Sequence, residues 1–399
     1  MSDSGQPTTG TQPLTQESLE RFAQDKLARL DADLLRRELV VTDRAAAAIG
    51  RRNDGDLISF ACNDYLGLSQ HPDVVEASVK ATQRLGTGAG ASRLVTGNHS
   101  LYERLEQQLA DIKGTEAAIV FGSGYLANLG TIPSLVGRRD LVVIDEFCHA
   151  CLHSGARLSG GAVQIFRHND VTHAAELLQR NRELHQHCLV ITEGVFSMDG
   201  DRAPVAKLLD LTNEHDAWLM TDDAHGLGVV GDGRGSNAAP DGDLPIPLQM
   251  GTLSKAVGAY GGYLCASRSV VNLLHNRARS FVYTTGLPPG TVAAASAALE
   301  IIASDIPLTH RPLELARRFS AQVGLPEAES PIVPILLGTA DRAIAASEKL
   351  VDAGYLVVPI RPPTVPEGTA RLRCTFSAAH RSEDVDRFAA AVNSTLEAL

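Results

Sequence analysis

Trp218-Leu219-Met220-Thr221-Asp222-Asp223-Ala224-His225-Gly226 is a short apolar run that ends in an acid pair and an imidazole. Continuous runs of this kind, apolar without alternation, mark strands buried on both faces of a parallel sheet. In such sheets the ligand site lies just beyond the carboxyl ends of the strands. Asp222 and His225 therefore fall where chemistry is expected. About thirty residues on comes Gly251-Thr252-Leu253-Ser254-Lys255-Ala256-Val257-Gly258. A lysine set between a hydroxyl-rich turn and small residues, with Gly261-Gly262 behind it, is poorly explained as a surface charge.

Working outward, further apolar runs fall at 117–121, 141–144, 163–166, 189–192 and 261–265, with helical stretches at 101–112, 172–179 and 205–212. Strands alternating with helices imply an α/β fold, a mostly parallel sheet covered on both faces. After Pro288-Pro289 the pattern changes. A helix over 291–303 leads to runs at 332–337, 355–360 and 370–376, with a helix over 340–353 between them. This reads as a smaller C-terminal α+β domain. At the other end, Leu19, Phe22, Leu27, Leu30 and Leu34 predict one amphipathic helix over 17–39, with Thr15 as its cap. A loop-rich segment follows that helix and includes 63–67 and then 85–97, with four glycines from Gly86 to Gly97. The expected organisation is a disordered tail (1–16), a helix and arm (17–60), a large domain (61–290) and a small one (291–399).

The 399 residues carry 36 Lys+Arg against 47 Asp+Glu, a formal net charge of −11. A nucleic-acid duplex repels that sign, so general nucleic-acid binding is not expected, and an anionic substrate needs a local basic pocket. With 44% hydrophobic and 21% charged residues the chain is globular rather than disordered or fibrous. No apolar run approaches the ~18–20 residues that cross a bilayer. Six cysteines are too sparse for a disulfide framework. The polar segment 1–16 lacks the basic and apolar regions of a signal peptide. A reducing cytoplasm is the expected compartment.

Two motifs have readings that fail on their context. Gly122-Ser123-Gly124-Tyr125-Leu126-Ala127 has the spacing of a dinucleotide turn. That turn usually opens a domain, whereas more than a hundred residues precede it here, and its amides suit a lone phosphate better. Cys148-His149-Ala150-Cys151-Leu152-His153 crowds four metal-ligand types together, but a tetrahedral zinc site needs separated pairs, so no metal is expected. Taken together, the motifs suit pyridoxal phosphate. It needs a lysine amine for its aldehyde, a carboxylate for its pyridine nitrogen, donors for its phosphate and a flat group over its ring. Lys255, Asp222, the turn from Gly124 to Ala127 and His149 fill those roles in order.

At this point the chain resembles the α-oxoamine synthases, fold-type-I pyridoxal phosphate transferases. The resemblance rests on Asn63-Asp64-Tyr65-Leu66-Gly67, Ser123-Gly124-Tyr125, His149, the stretch from Glu193 to Gly200, Asp222 to Gly226, Thr252 to Lys255, Arg361-Pro362-Pro363-Thr364-Val365-Pro366 and Arg371-Leu372-Arg373. It implies a seven-stranded, mostly parallel sheet between helices, and a homodimer with its sites at the subunit interface. It further implies that Lys255 holds the aldehyde and Asp222 the ring nitrogen, while Ser197 and His225 contact the ring hydroxyl and His149 stacks on the ring. Ser123, Gly124, Tyr125 and Thr252 lie at the phosphate, and Thr284 or Thr285 reaches the partner's phosphate. Arg361 binds the amino-acid carboxylate, Arg373 is the second choice for that role, and Asn63 lies beside the substrate.

The implied reaction is a decarboxylative condensation. Lys255, its amine pKa lowered by burial and nearby positive charge, removes the α-proton of an amino acid. The resulting carbanion attacks an acyl thioester, and thiol and CO2 leave. Arg361 to Pro366 and Gly368 to Arg373 point to the subgroup of biotin synthesis that joins L-alanine to a pimeloyl group on coenzyme A or a carrier protein. Glycine C-acetyltransferase, 5-aminolevulinate synthase and soluble serine palmitoyltransferase are the alternatives within the family. A nicotinamide dehydrogenase and a zinc-binding module are those outside it. The chain departs from the family at Cys148 and Cys151, where serines are common, and at Tyr102, where a histidine is.

Overall fold

A strand flanked by strands and covered by helices on both faces must be apolar on both sides, and the run at Trp218–Asp222 is buried along all but its first residue. A computed structural model describes residues 16–52, 55–240 and 242–399. Residues 1–15, most of the expected tail with its Thr15 cap, lie outside the described residues. The N-terminal part comprises α1 (Gln16–Ala32), the strands β1 (Asp43–Ala46), β2 (Ile49–Arg52) and β3 (Gly55–Ser59), then α2 (Pro72–Leu85) and α3 (Ser100–Lys113). The alternating region follows as β4 (Ala117–Phe121), α4 (Gly124–Leu135), β5 (Leu141–Asp145), α5 (Ala150–Ser159), β6 (Ala162–Phe166), α6 (Val171–Asn181), β7 (Cys188–Glu193), α7 (Val205–Glu214), β8 (Trp218–Asp222), β9 (Leu248–Thr252) and β10 (Gly262–Ala266).

Seven of these strands form one sheet in the order β4-β10-β9-β8-β7-β5-β6. β10 runs against both its neighbours and the other pairings are parallel. Alternate residues enter different cores: Val142 and Ile144 of β5 pack on one face, Leu141 and Val143 on the other. That explains the unbroken apolar runs. Because β4, β5, β7, β8 and β9 share a direction, the loops that follow them meet at one edge of the sheet. Ser123, His149, Ser197, His225 and Lys255 all stand on those loops.

The chain continues through α8 (Arg268–Arg277), α9 (Arg279–Val282), α10 (Pro289–Ser304) and α11 (Ile306–Val323), then β11 (Ile332–Gly338), α12 (Ala340–Asp352), β12 (Tyr355–Leu356), β13 (Val358–Ile360), β14 (Ala370–Thr375) and α13 (Ser382–Glu397). A separate core gathers Leu315, Phe319, Leu350, Leu372 and Phe388 with Phe60 from before the large sheet. The Phe60 ring stacks on Phe388 at 3.9 Å between centroids. Among the described residues no single helix is long and apolar enough to cross a membrane. α10 and α11 reach that threshold jointly but bend by 82° at their junction.

Four expectations are corrected. The N-terminal helix ends at Ala32, not near residue 39, because Leu34 adopts a left-handed backbone (φ 55°) that no α-helix continues through. The stretch read as loop contains α2, whose start is marked by Pro72 at the first helical position and by His71 as cap. The run at 355–360 is two strands in different sheets, β12 parallel to β3 and β13 antiparallel to β14. Finally, α10 buries its Val292, Ala295 and Leu299 in the main core rather than with the C-terminal strands.

Candidate active site

Each loop at the sheet edge delivers one or two polar groups. After β4, Ser123 caps α4, its Oγ accepting from the amide of Leu126 at 3.2 Å. The first amides of a helix have no intrahelical acceptor, so this N-terminus is a ready anion site. It lies hard against β10: a Cβ on Gly262 would stand 2.4 Å from the Ser123 oxygen and 2.5 Å from the Gly124 nitrogen. Gly124 is equally confined, its missing Cβ falling 3.1 Å from Met250 and 3.4 Å from Thr252. After β5, His149 caps α5 through Nδ1, which accepts from the Cys151 amide at 3.2 Å. At the end of β8, Asp222 is fixed from two sides, by Asn128 on Oδ2 (2.9 Å) and by the Ala224 amide on Oδ1 (3.0 Å).

These groups surround one cavity of about 220 Å³. Ser123, Gly124, Tyr125, His149, Ser197, Asp222, His225, Thr252 and Lys255 all line it, as expected, and Glu193, Cys151 and Ser254 join them. Nζ of Lys255 lies 2.6 Å from Nε2 of His225. Burial lowers the Lys255 amine to about 8, against the opposing pull of Asp222 and Glu193. Burial also holds the His225 imidazole well below its usual range, helped by the positive charges of Lys255 and Arg373. Glu193 moves the other way. Burial and the nearby Asp222 push it up to about 8, and its Oε1 accepts the His149 amide.

The two candidate arginines separate. Arg373 is buried beside the cavity, donating to the Ser197 carbonyl (2.5 Å), Asn63 Oδ1 (3.0 Å) and the Tyr65 hydroxyl (3.3 Å). Arg361 instead binds the carbonyls of Leu34 and Arg36 in the N-terminal arm. Of the two, Arg373 is the one placed beside the cavity, because alternate residues of β14 face the large domain whereas Arg361 lies past the end of β13. Thr284 and Thr285 are not in this cavity. They line a neighbouring cleft with Arg93, Tyr102 and Gly122, and Thr285 bridges to Ser92.

Sequence reasoning gave no role to Glu193, Asn128 or Tyr65. Glu193 was within reach, since it ends an apolar run, opens a recognised motif and pairs in register with Asp222. Asn128 lies inside a helix and nothing in its sequence context shows that it points at Asp222. Cys148 and Cys151 are buried. Burial drives the Cys151 thiol up to about 12, so it carries no thiolate. Among the described residues no cluster of three or more His, Cys, Asp or Glu is arranged to hold a metal ion.

The model of the aminotransferase class I and II family matches residues 55–392. The putative 8-amino-7-oxononanoate synthase of Acidiphilium cryptum is 60% identical over 379 residues, covering 95% of this chain and 98% of that protein. This chain belongs to the α-oxoamine synthases of that family. Another relative of this α-oxoamine synthase is the 8-amino-7-oxononanoate synthase of Methylocella silvestris, 59% identical over 348 residues, with 87% and 98% of the two chains covered. Among solved structures, a serine palmitoyltransferase of S. paucimobilis with bound PLP and myriocin superposes with a TM-score of 0.89 at 28% identity, over 96% of this chain and 99% of that one. The 8-amino-7-oxononanoate synthase of Francisella tularensis gives 0.73 at 26% identity, over 86% and 98%.

Pyridoxal phosphate fits the donor set of this α-oxoamine synthase. An amine, a fixed carboxylate, a helix N-terminus with a hydroxyl beside it and an imidazole at the rim face one space. Gly262 and Gly124, which leave no room for a Cβ, let the turn at Ser123 pack directly against β10 and β9 and so place that helix N-terminus at the cavity wall.

Proposed function

We propose that this chain joins L-alanine to a pimeloyl thioester, with loss of CO2 and free thiol, to form 8-amino-7-oxononanoate in biotin synthesis. The observation that carries this reading is that relatives sharing more than half of its residues bear that activity in their names. The cofactor is pyridoxal 5′-phosphate, which when bound supplies an aldehyde for the amine and a ring that takes up the electron pair released at the amino acid's α-carbon.

The protein's own groups do the rest. Lys255, with its amine near 8, is available close to neutral pH to take the α-proton. Asp222 presents a negative charge fixed by Asn128 and the Ala224 amide, which is what a protonated ring nitrogen requires. Ser123, Gly124, Tyr125 and Thr252 hold the phosphate, and His149 supplies the flat face over the ring. Ser197 and His225 contact the ring hydroxyl. Arg373 with Asn63 receives the amino-acid carboxylate, and this is the local basic pocket that a chain of net charge −11 needs. The acyl donor is a thioester of coenzyme A or of a carrier protein.

The assembly is a homodimer. Leu94, Val95 and Tyr283 are exposed next to Thr284 and Thr285, and an apolar patch of that kind supports a partner surface. From there the threonines reach the partner's phosphate. Six unpaired cysteines suit a reducing cytoplasm.

Serine palmitoyltransferase gives the higher TM-score. Backbone similarity is common to the whole family, however, whereas substrate choice lies in side chains, which sequence identity reports. A matrix of alanine, serine and glycine against pimeloyl-, palmitoyl- and acetyl-coenzyme A, read by thiol release, tests the assignment. The highest kcat/KM is expected for alanine with the pimeloyl donor. A maximum for serine with the palmitoyl donor would overturn it.

A further inference from the structure

Behind Lys255 a line of hydrogen bonds continues into the protein as far as Tyr65, which the reaction as described leaves without a role. From His225, whose Nε2 faces the amine, Nδ1 reaches the Tyr65 hydroxyl at 2.7 Å. Tyr65 is fully buried. Its oxygen has two more neighbours, Asn63 Oδ1 at 3.2 Å and an Arg373 guanidinium nitrogen at 3.3 Å. Arginine can only donate, so the phenol oxygen accepts there, and its one hydrogen goes either to His225 or to Asn63. Those two choices match the two neutral tautomers of the imidazole.

We propose that Tyr65 is a positioning residue whose hydroxyl, by turning between His225 and Asn63, lets His225 change tautomer with the protonation state of Lys255. When Lys255 is an ammonium it donates to Nε2. Nδ1–H then donates to Tyr65, and Tyr65 donates to Asn63. When Lys255 is an amine, Nε2–H faces the cavity as a donor and Tyr65 donates to Nδ1. Between the two states the pair releases one proton to solvent: an ammonium hydrogen passes to Nε2 and the Nδ1 hydrogen is the one lost. His225 therefore offers an acceptor or a donor to the cavity as the amine requires.

The surroundings restrict the titration to this exchange. Arg373, Lys255 and His149 face His225 and, with burial, suppress its charged form. Lys255 feels Asp222, Glu193 and Cys151 on one side of the balance and Arg373 on the other. The inference deepens the role already given to Lys255 and His225, and its test needs no turnover, so its failure is separate from failure of the condensation reading.

The test is nitrogen NMR on the full chain, freed of cofactor and labelled with 15N-histidine, from roughly pH 6 to 10, with His225→Gln to identify the signal. His225 is expected to pass from Nδ1–H to Nε2–H with a midpoint near the amine's value of about 8. Tyr65→Phe keeps the ring and its packing and is expected to abolish that exchange. A single tautomer across the whole range in the unmodified chain overturns the proposal. So does an unchanged exchange in Tyr65→Phe. Should the variant not fold, the unmodified chain alone still decides.

Discussion

Asn128 donates to Oδ2 of Asp222 at 2.9 Å from within α4, so the helix that opens at Ser123 also steadies the carboxylate on the far side of the cavity. Removing that donor leaves a charged acceptor short of one partner, a loss of about 1–3 kcal/mol. Asn128→Ala is expected to lower kcat roughly 10- to 100-fold while the cofactor stays bound. Asp222→Asn is expected to lose more, again with cofactor retained. Steady-state kinetics together with a visible spectrum check both, and near-normal turnover in Asp222→Asn would remove the carboxylate from the mechanism.

Lys255→Ala removes the amine that we propose both holds the aldehyde and acts as the base. The visible absorbance of the purified protein is expected to change and thiol release to fall by at least about 10²-fold. A variant with the original spectrum and rate would refute the site as a whole.

Arg373 and Arg361 are expected to separate in kinetics as they do in space. Arg373→Ala takes away a buried guanidinium with three partners, and the KM for alanine should rise roughly 10- to 100-fold while that for the thioester changes little. Arg361→Ala should instead loosen the arm around Leu34, with a smaller effect on the alanine KM. Equal effects of the two variants on that constant would contradict the assignment of the carboxylate to Arg373.

Glu193 sets a pH dependence of stability. Its acid is raised from 4.5 to about 8, so the folded chain holds a proton that the unfolded chain releases. The stabilisation from this group is complete below about pH 4.5 and is lost as pH rises through about 8. Glu193→Gln, neutral throughout, escapes that loss. Denaturant unfolding of the cofactor-free chain should show the variant gaining on the unmodified protein as pH rises. A difference independent of pH would mean that Glu193 is ionised in the folded state.

Lys113 and Asp223 form an ion pair with 1% and 0% exposure, 2.7 Å apart. The ammonium also serves Asn237 and the Arg234 carbonyl. Lys113→Met leaves the buried Asp223 charge with the Ser236 amide but no counter-ion, and a destabilisation of about 3–5 kcal/mol is expected. A midpoint shift in urea measures it, and a loss below about 1 kcal/mol would show the pair to be replaceable.

The parts of the fold that were legible are those where burial alone dictates residue type. β4, β5, β7 and β8 are continuous apolar runs and were found to within a residue or two. β9 was not, because Gln249 and Gly251 break its pattern. Gln249 is nevertheless buried, bonded to the carbonyls of Lys113 and Ile246, a tertiary contact that periodicity cannot register. The site shows the same division. Asp222 ends β8, and His225 and Lys255 stand in the loops after β8 and β9, all three in stretches of distinctive local chemistry. The choice between Arg373 and Arg361 depends on which face of β14 meets the large domain, and that is decided by pairing far away in sequence. Asn128 and Tyr65 act through partners 94 and 160 residues distant.

Arg371 and Arg373 leave β14 on the same side, and between them they grip three successive residues of the turn after β7: Arg373 takes the Ser197 carbonyl, and Arg371 the Met198 carbonyl and the Asp199 carboxylate. The C-terminal sheet is thereby bolted to the cavity wall. Any tilt of that sheet must drag the Ser197 hydroxyl with it, and any ligand that draws Arg373 inward must pull on the sheet. A ligand held by Arg373 would therefore be felt in the small domain through β14, and by reciprocity a shift of that sheet would be felt by the ligand.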